Sequence, residues 1–281
     1  MILVDFNQVC IANFMMQVGN HTNVKIEEDL VRHMVLNSIR LIRSKFSEEF
    51  GELVICADSK KYWRREIFPY YKCNRKKDRA KSDVDWTSLF NFLNKVREEL
   101  KEHFPYKVLC IEGAEADDII GVLTKENYQK EKVLIVSSDK DFLQLQKYDN
   151  VKQYSPIMKK FIRTEDPNLY IQEHILKGDR GDGIPNISSP DDTFATGKRQ
   201  KPFSKKKIEK VIADGIESLN EQERRGYARN QQLVDLDHIP ESIANLITSE
   251  YSVSNVGARN NLLNYFIKHR LNNLTEVIGD F

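Results

Sequence analysis

The sequence has no long uncharged apolar run, and Asp5 interrupts its first hydrophobic stretch almost at once, which argues against both a signal peptide and a membrane span. Cysteine is scarce. The four present (Cys10, Cys56, Cys73 and Cys110) lie far apart with no Cys-x-x-Cys pair, so neither a disulfide framework nor a thiolate metal site is indicated. Cys56 and Cys110 fall inside apolar runs and are expected as small core residues of a chain in a reducing cytoplasm. Net charge is nearly absent too: 43 Lys and Arg face 42 Asp and Glu, leaving +1, so any affinity for a polyanion has to come from how the charge is distributed. There is no internal repeat and no low-complexity tract. With 40% hydrophobic residues, the 281-residue chain can bury a sizeable core, as one large α/β domain or a large domain plus a small one.

Short runs rich in Val, Ile and Leu recur at Ile2–Val4, Leu53–Ala57, Val108–Ile111 and Val133–Val136, the pattern of parallel strands buried on both faces. Helical-period segments separate them. In 26–46, Leu30, His33, Met34, Asn37, Ile39 and Leu41 recur near helical spacing, and Trp86–Phe104 does the same with Leu89, Phe90, Leu93, Val96 and Leu100. Alternation of this kind predicts a mostly parallel, doubly wound α/β sheet. After Gly178 the composition turns to Gly, Pro, Ser and Asp clusters and then to polar helical sequence. Residues 1–177 are therefore expected as the α/β body and 178–281 as a helical region packed on it.

Every predicted strand is followed by an acid: Asp5, Asp58, then Glu112 and Glu115, then Asp139. The carboxyl ends of parallel strands line one crevice, so these acids should converge. Asp117 and Asp118 follow in Glu115-Ala-Asp-Asp, Asp141 in Ser138-Asp-Lys-Asp, and Asp179 and Asp182 in Gly178-Asp-x-x-Asp-Gly. Taken singly, each is open to a structural reading as a helix cap, an acidic first turn or a tight turn. All five elements in order, each on a strand end or adjacent loop, are hard to explain that way. Glu112 has no partner in the pattern and reads as a turn residue. Nearby carboxylates cannot all stay ionised without counter-ions, and oxygen donors without cysteine or clustered histidine favour Mg²⁺ or Mn²⁺.

Between the second strand and the next helix, Lys60–Lys81 carries ten Lys/Arg against Glu66 and Asp78, with Tyr62, Trp63, Tyr70 and Tyr71 interleaved. Cations neutralise phosphates and rings stack on splayed bases, the composition of a single-strand binder. A charge run is otherwise a solvated face, but this one directly follows Asp58. A second cluster, Lys205, Lys206 and Lys207, follows Ser204, an expected N-cap that leaves helix amides for a duplex phosphate.

In order and spacing, Leu-Val-Asp5-Phe-Asn, Asp58, Glu115-Ala-Asp-Asp, Ser138-Asp-Lys-Asp-Phe and Gly178-Asp-x-x-Asp-Gly-Ile-Pro resemble the acidic motifs of the flap endonuclease / 5′-3′ exonuclease family. Tyr62-Trp-Arg-Arg, Tyr71-Lys-x-Asn-Arg, Val31-Arg-His-Met-Val-Leu-Asn-Ser-Ile and Val151-Lys-Gln-Tyr-Ser-Pro resemble its bacteriophage branch. The likeness runs over almost the whole chain, weakening between Ser188 and Pro202 and toward the C-terminus. It implies a 5′-nuclease (PIN-like) fold with a basic helical arch over 60–85. It also implies two Mg²⁺ ions, with Mn²⁺ as a substitute. Asp5, Asp58, Glu115, Asp117 and Asp139 would serve the first ion and Asp118, Asp141, Asp179 and Asp182 the second, partly through water, each acid's own ion being left open. Lys72 and Arg75 match the arch's basic pair at the scissile phosphate and Tyr71 a stacking position. Arg64, Arg65, Lys76, Lys77, Arg79 and Lys205–Lys207 would bind nucleic acid. The family's duplex clamp falls around Gly178–Ala213, where Asn186-Ile-Ser-Ser-Pro-Asp-Asp-Thr replaces the glycine-rich potassium-binding hairpin, so a potassium site does not carry over.

The resemblance further implies removal of RNA primers and flaps during phage lagging-strand replication, inside the cytoplasm of an infected bacterial cell. The substrates would be DNA and RNA–DNA hybrids with a 5′ flap or fork. The partners would be single-strand-binding protein and the sliding clamp, and the chain a monomer without a membrane role. Phage relatives engage the clamp through residues before the first strand, which Met1 here leaves almost no room for, so that route is not expected. Two rivals stand beside this reading. A magnesium phosphatase using aspartyl-phosphate chemistry shares the strand-end acids but has no use for the basic aromatic arch. A catalytically silent nucleic-acid-binding subunit would keep the arch but not so many carboxylates.

Overall fold

The computed structural model describes residues 1–18, 27–254, 256–257 and 259–281. Six strands form one sheet in the order β3-β2-β1-β4-β5-β6, with every neighbouring pair parallel except β5 and β6. β1 (Ile2–Asp5) leads into α1 (Phe6–Val18) and α2 (Glu28–Phe50), and β2 (Leu53–Cys56) into α3 (Trp63–Ile67), α4 (Cys73–Ala80) and α5 (Trp86–His103). Then follow β3 (Lys107–Leu109), α6 (Ala116–Asn127) and β4 (Val133–Val136), a 3-10 segment over Lys140–Lys147, and the antiparallel pair β5 (Val151–Ser155) and β6 (Lys160–Ile162). The remainder is helical: α7 (Pro167–Lys177), α8 (Lys205–Asp214), α9 (Glu221–Val234), α10 (Glu241–Val253), α11 (Leu262–Lys268) and α12 (Asn272–Thr275). No helix among the described residues is long and apolar enough to cross a membrane.

Side chains alternate across each strand, so the apolar runs feed two cores. Ile2, Val4, Ile55, Leu134 and Val136 face α1, α2, α5, α11 and α12 on one side of the sheet, where Phe281 is also buried. Leu3, Val54, Cys56 and Ile135 face α6 and α10 on the other. This is the doubly wound, mostly parallel sheet expected from the strand and helix spacing. Helices from beyond residue 178 thus close both faces of the body, while α7, α8 and α9 frame two smaller clusters beside it.

Three local expectations need correction. Ile26 lies outside the described residues, and within α2 Met34 and Ile39 are buried as expected, but Leu30 and Leu41 face solvent, while Val31, Val35, Leu36, Ile42, Phe46 and Phe50 are buried. Cys110 is exposed, because β3 ends at Leu109, although Cys56 is buried as expected. β5 and β6, whose polar residues give no apolar run, extend the sheet by two strands.

Candidate active site

The strand order reverses between β1 and β4, which leave in opposite directions across the sheet, and a crevice opens beyond the carboxyl ends of such a pair. Asp5 closes β1, Asp58 follows β2, Glu115 and Asp117 follow β3, and Asp139 follows β4. Asp5, Asp58, Asp117 and Asp139 line one cleft of about 890 Å³, together with Lys72, Arg75 and Arg79. Backbone and side-chain donors set the first two acids. Asp5 accepts from Ser137 Oγ at 2.9 Å and from the Gln8 amide at 3.2 Å, and Asp58 accepts from Asn7 Nδ2 and the Ala116 amide, both at 2.9 Å. Asp139 also borders an adjoining cleft of about 680 Å³, lined by Asp141, Tyr170, His174 and Asp179. Gly178 makes the turn into that cleft: its φ of +67° suits glycine, and a Cβ there would collide with the Ile184 carbonyl.

The acids strain against one another. Burial, with the Asp58 and Asp139 carboxylates close by, pushes Asp5 up to about 7. Burial and then Asp139 push Asp141 up to about 8, and burial with Asp139 and Asp5 holds Asp117 well above the usual carboxylate range. Asp139 is raised as well, chiefly by burial. Asp179 moves the other way: burial is outweighed by its hydrogen bonds from His174 and from the Asp182 amide. Such a cluster is what a divalent cation relieves, and its donors are hard oxygens except for one imidazole. Asp141, His174 and Asp179 place their donor atoms within 4.8 Å of one another. Sequence reasoning missed His174, since a histidine one turn before a helix end carries no signal until the fold sets it beside Asp141.

The other expected acids form a buried ion-pair network. Glu115 accepts from Lys72 Nζ, from Arg64 Nη1 at 3.1 Å and from the Tyr71 hydroxyl at 2.9 Å. Asp182 accepts from Arg75 at 2.7 Å and lies 3.0 Å from the Tyr71 hydroxyl, whose single proton the two acids share, with Lys72 at 3.6 Å. Lys72 bridges both acids, and their charges outweigh its burial and raise its affinity for the proton. Its backbone is left-handed, φ 57°, fixed by its N–H donating to the Asp182 carbonyl at 2.7 Å. A non-glycine residue in that region costs conformational energy and marks a position held by its surroundings.

Three expectations fail here for a common reason, burial. Asp118 is fully buried and turned from the cleft: it accepts from Trp63 Nε1 at 3.2 Å, Arg64 Nη1 at 3.0 Å and the Glu115 amide at 2.9 Å, closing a capping box on α6. It is not placed to hold an ion. Arg64, expected against nucleic acid, is 2% exposed, pairs with Glu115 and Asp118, and donates to the Leu233 carbonyl at 2.8 Å. Tyr71, expected to stack on bases, is 3% exposed and packs with Phe68, Ile175 and Ile184. The exposed cations of the segment are Lys60, Lys61, Arg65, Arg75, Lys76, Lys77, Arg79 and Lys81. Arg79 lies over the Phe90 ring at 4.6 Å and so leans toward the cleft wall. Ser204 caps α8 as expected, accepting from the Lys207 amide at 3.3 Å. On that helix Lys206 is exposed, Lys205 pairs with Glu209 at 3.7 Å, and Lys207 pairs with Glu223.

Residues 1–175 match the family model of the 5′-3′ exonuclease N-terminal, resolvase-like domain, and residues 165–281 match that of the T4 RNase H C-terminal domain. The chain is similar to the ribonuclease H of enterobacteria phage T4, 37% identical over an alignment 292 positions long, gaps included, that covers 99% of this chain and 95% of that one. It is also similar to the 5′-3′ exonuclease of Buchnera aphidicola subsp. Schizaphis graminum, 38% identical over 163 residues, 54% of this chain and 53% of that one. Among solved structures, the phage T5 D15 protein co-crystallised with metal ions superposes with a TM-score of 0.63 at 18% identity, over 90% of this chain and 98% of that one. At that identity the likeness speaks for the fold.

Proposed function

The chain belongs to the 5′-3′ exonuclease family, in the branch that carries the T4 RNase H C-terminal domain, and from this we propose that it is a divalent-metal-dependent 5′-3′ exonuclease and flap endonuclease that removes RNA primers. One observation carries the reading: four acids at or beyond the ends of four strands line a single cleft together with Lys72, Arg75 and Arg79. Asp5, Asp58, Asp117 and Asp139 would hold a cation in that cleft, and Asp141 and Asp179 a second beside it. When bound, such ions supply Lewis-acid polarisation of a phosphodiester and a hydroxide nucleophile from water at neutral pH. The chain's own groups do the rest. Lys72 and Arg75 face the scissile phosphate and offset charge that grows on it as the bond breaks. Arg65, Lys76, Lys77 and Arg79 neutralise phosphates of the single-stranded 5′ end, and Lys206, with its α8 neighbours, holds the duplex behind it.

Contacts of this kind go to the backbone and not to base edges, which suits both RNA–DNA hybrids and flapped or forked DNA. On this reading residues 1–177 cut and 178–281 hold duplex. The chain works as a monomer in the cytoplasm of an infected cell, alongside single-strand-binding protein and the sliding clamp, and Mg²⁺ is its working ion. Purified protein with a 5′-labelled flap or RNA–DNA hybrid should release short 5′ products in Mg²⁺ and none in EDTA. Binding without cleavage in either Mg²⁺ or Mn²⁺ would instead identify a silent binding subunit. Lys72→Ala should lower turnover far more than it weakens binding, because its charge matters most in the transition state.

A further inference from the structure

His174 sits on the last turn of α7, facing the 3-10 segment that follows β4. Its Nδ1 lies 3.4 Å from Asp141 Oδ1 and its Nε2 3.5 Å from Asp179 Oδ2. Nδ1 is buried and has no hydrogen-bond partner. Such a group is costly unless something pairs with it. The ring is also fixed edge-on to Tyr170, centroids 5.9 Å apart at 77°. A metal bonded at about 2.1 Å sets its ligands roughly 3 Å apart at right angles and about 4.2 Å apart when opposed. A triad whose donor atoms lie within 4.8 Å of one another is compatible with one shared ion. One imidazole cannot turn both nitrogens to one ion, and the two carboxylates stand on opposite edges of the ring: Asp141 faces the bare Nδ1, while Asp179 Oδ2 lies 3.5 Å from Nε2. A carboxylate behind a ligating histidine fixes its tautomer and orientation.

We propose that His174 ligates a divalent ion through Nδ1 beside Asp141, with Asp179 holding its Nε2–H, so that this half of the acid cleft is a mixed nitrogen and oxygen site. The inference rests on the metal-dependent reading above and adds a ligand and a selectivity to it. Mg²⁺ binds oxygen donors and retains its waters, whereas imidazole favours ions later in the first transition row. Mn²⁺ and Co²⁺ should therefore occupy this position more tightly than Mg²⁺.

The test is pulsed electron paramagnetic resonance of the full chain with Mn²⁺ titrated to two equivalents, reading the ¹⁴N modulation of a directly bonded nitrogen. The wild type should show it and His174→Gln should not. His174→Gln should also weaken Mn²⁺ binding at one site by about tenfold or more, since even outer-shell changes cost metal sites 10–100-fold, while Mg²⁺ binding changes by less than about threefold. Circular dichroism verifies the fold, and His174→Asn replaces the Gln variant should that one not fold. Bound Mn²⁺ without ¹⁴N modulation, or modulation that persists in the variant, overturns the proposal and leaves the nuclease reading standing. Absence of Mn²⁺ binding together with absence of cleavage defeats both.

Discussion

Ten cations between Lys60 and Lys81 look alike in the sequence and do not act alike in the fold. Arg64 is buried against Glu115 and Asp118, whereas its neighbour Arg65 is exposed over the Tyr62 ring at 5.1 Å. Removing one partner of a buried ion pair leaves an uncompensated charge and costs about 3–5 kcal/mol. Arg64→Ala should therefore lower stability by about that much in denaturant melts, with little change in the salt dependence of DNA binding. Arg65→Ala should do the reverse: unaltered melting, and a log–log salt slope smaller by about one phosphate contact. Equal melting of the two variants would contradict the burial assigned to Arg64. Asp139 borders both clefts, so Asp139→Asn should reduce cleavage at least 10–100-fold while filter binding of DNA stays near normal. The strand-end acids were legible because parallel strands place their ends together whatever the intervening sequence. The burial of Arg64, Tyr71 and Asp118 was not, since it is decided by which way α3 and α6 face each other.

At the level of elements, apolar runs announced four strands because parallel strands buried on both faces must be apolar throughout. β5 was silent for the opposite reason: Gln153 is buried, but its side-chain amide donates to the Ser137 carbonyl at 3.1 Å and the Asp139 carbonyl at 2.5 Å, so a polar residue serves where an apolar one was awaited. In α2 the helical period was right and the face only partly so: Met34 and Ile39 are buried as expected, Leu30 and Leu41 are not, and the buried face includes Arg32, whose guanidinium is held by Glu28, Asp29 and Glu99. The arch divides in a similar way. Trp63, Arg64, Phe68, Tyr71 and Lys72 are rooted in the body between exposed neighbours such as Arg65 and Tyr70, and unbroken exposure runs from Arg75 along α4. Trypsin should consequently cut free protein after Arg75, Lys76, Lys77, Arg79 or Lys81 and spare Arg64 and Lys72. A 5′-flap substrate held in Ca²⁺ should protect those sites, and blunt duplex of equal length should not. Equal protection by both would reduce α4 to a general basic surface.

For the molecule as a whole, the crowded acids make stability depend on pH. Asp5, at about 7, and Asp141, at about 8, each hold a proton to higher pH when folded than their ordinary 3.8 allows in the unfolded chain. The stability they contribute is complete below about pH 4 and is lost as pH rises through 7 to 8, because over that window the unfolded state releases protons the folded state keeps. Without divalent ions the Tm should thus fall between pH 5 and 8. Saturating Mg²⁺ should cancel the decline by binding the folded state alone, and Asp5→Asn should flatten part of it at the expense of activity. A Tm in EDTA that stays level or rises across that range would refute the crowding. The Lys72–Glu115 and Arg75–Asp182 pairs carry this one step further. In the free chain the two cations meant for phosphate are engaged by carboxylates beside the acid cleft, so a phosphate that draws either cation away frees a carboxylate next to the ion site and couples nucleic-acid binding to ion binding. Each should raise the other's affinity by the same factor, about 5–150-fold for a coupling of ordinary size, so that which one loads first is set by each ligand's concentration relative to its own affinity for the free chain.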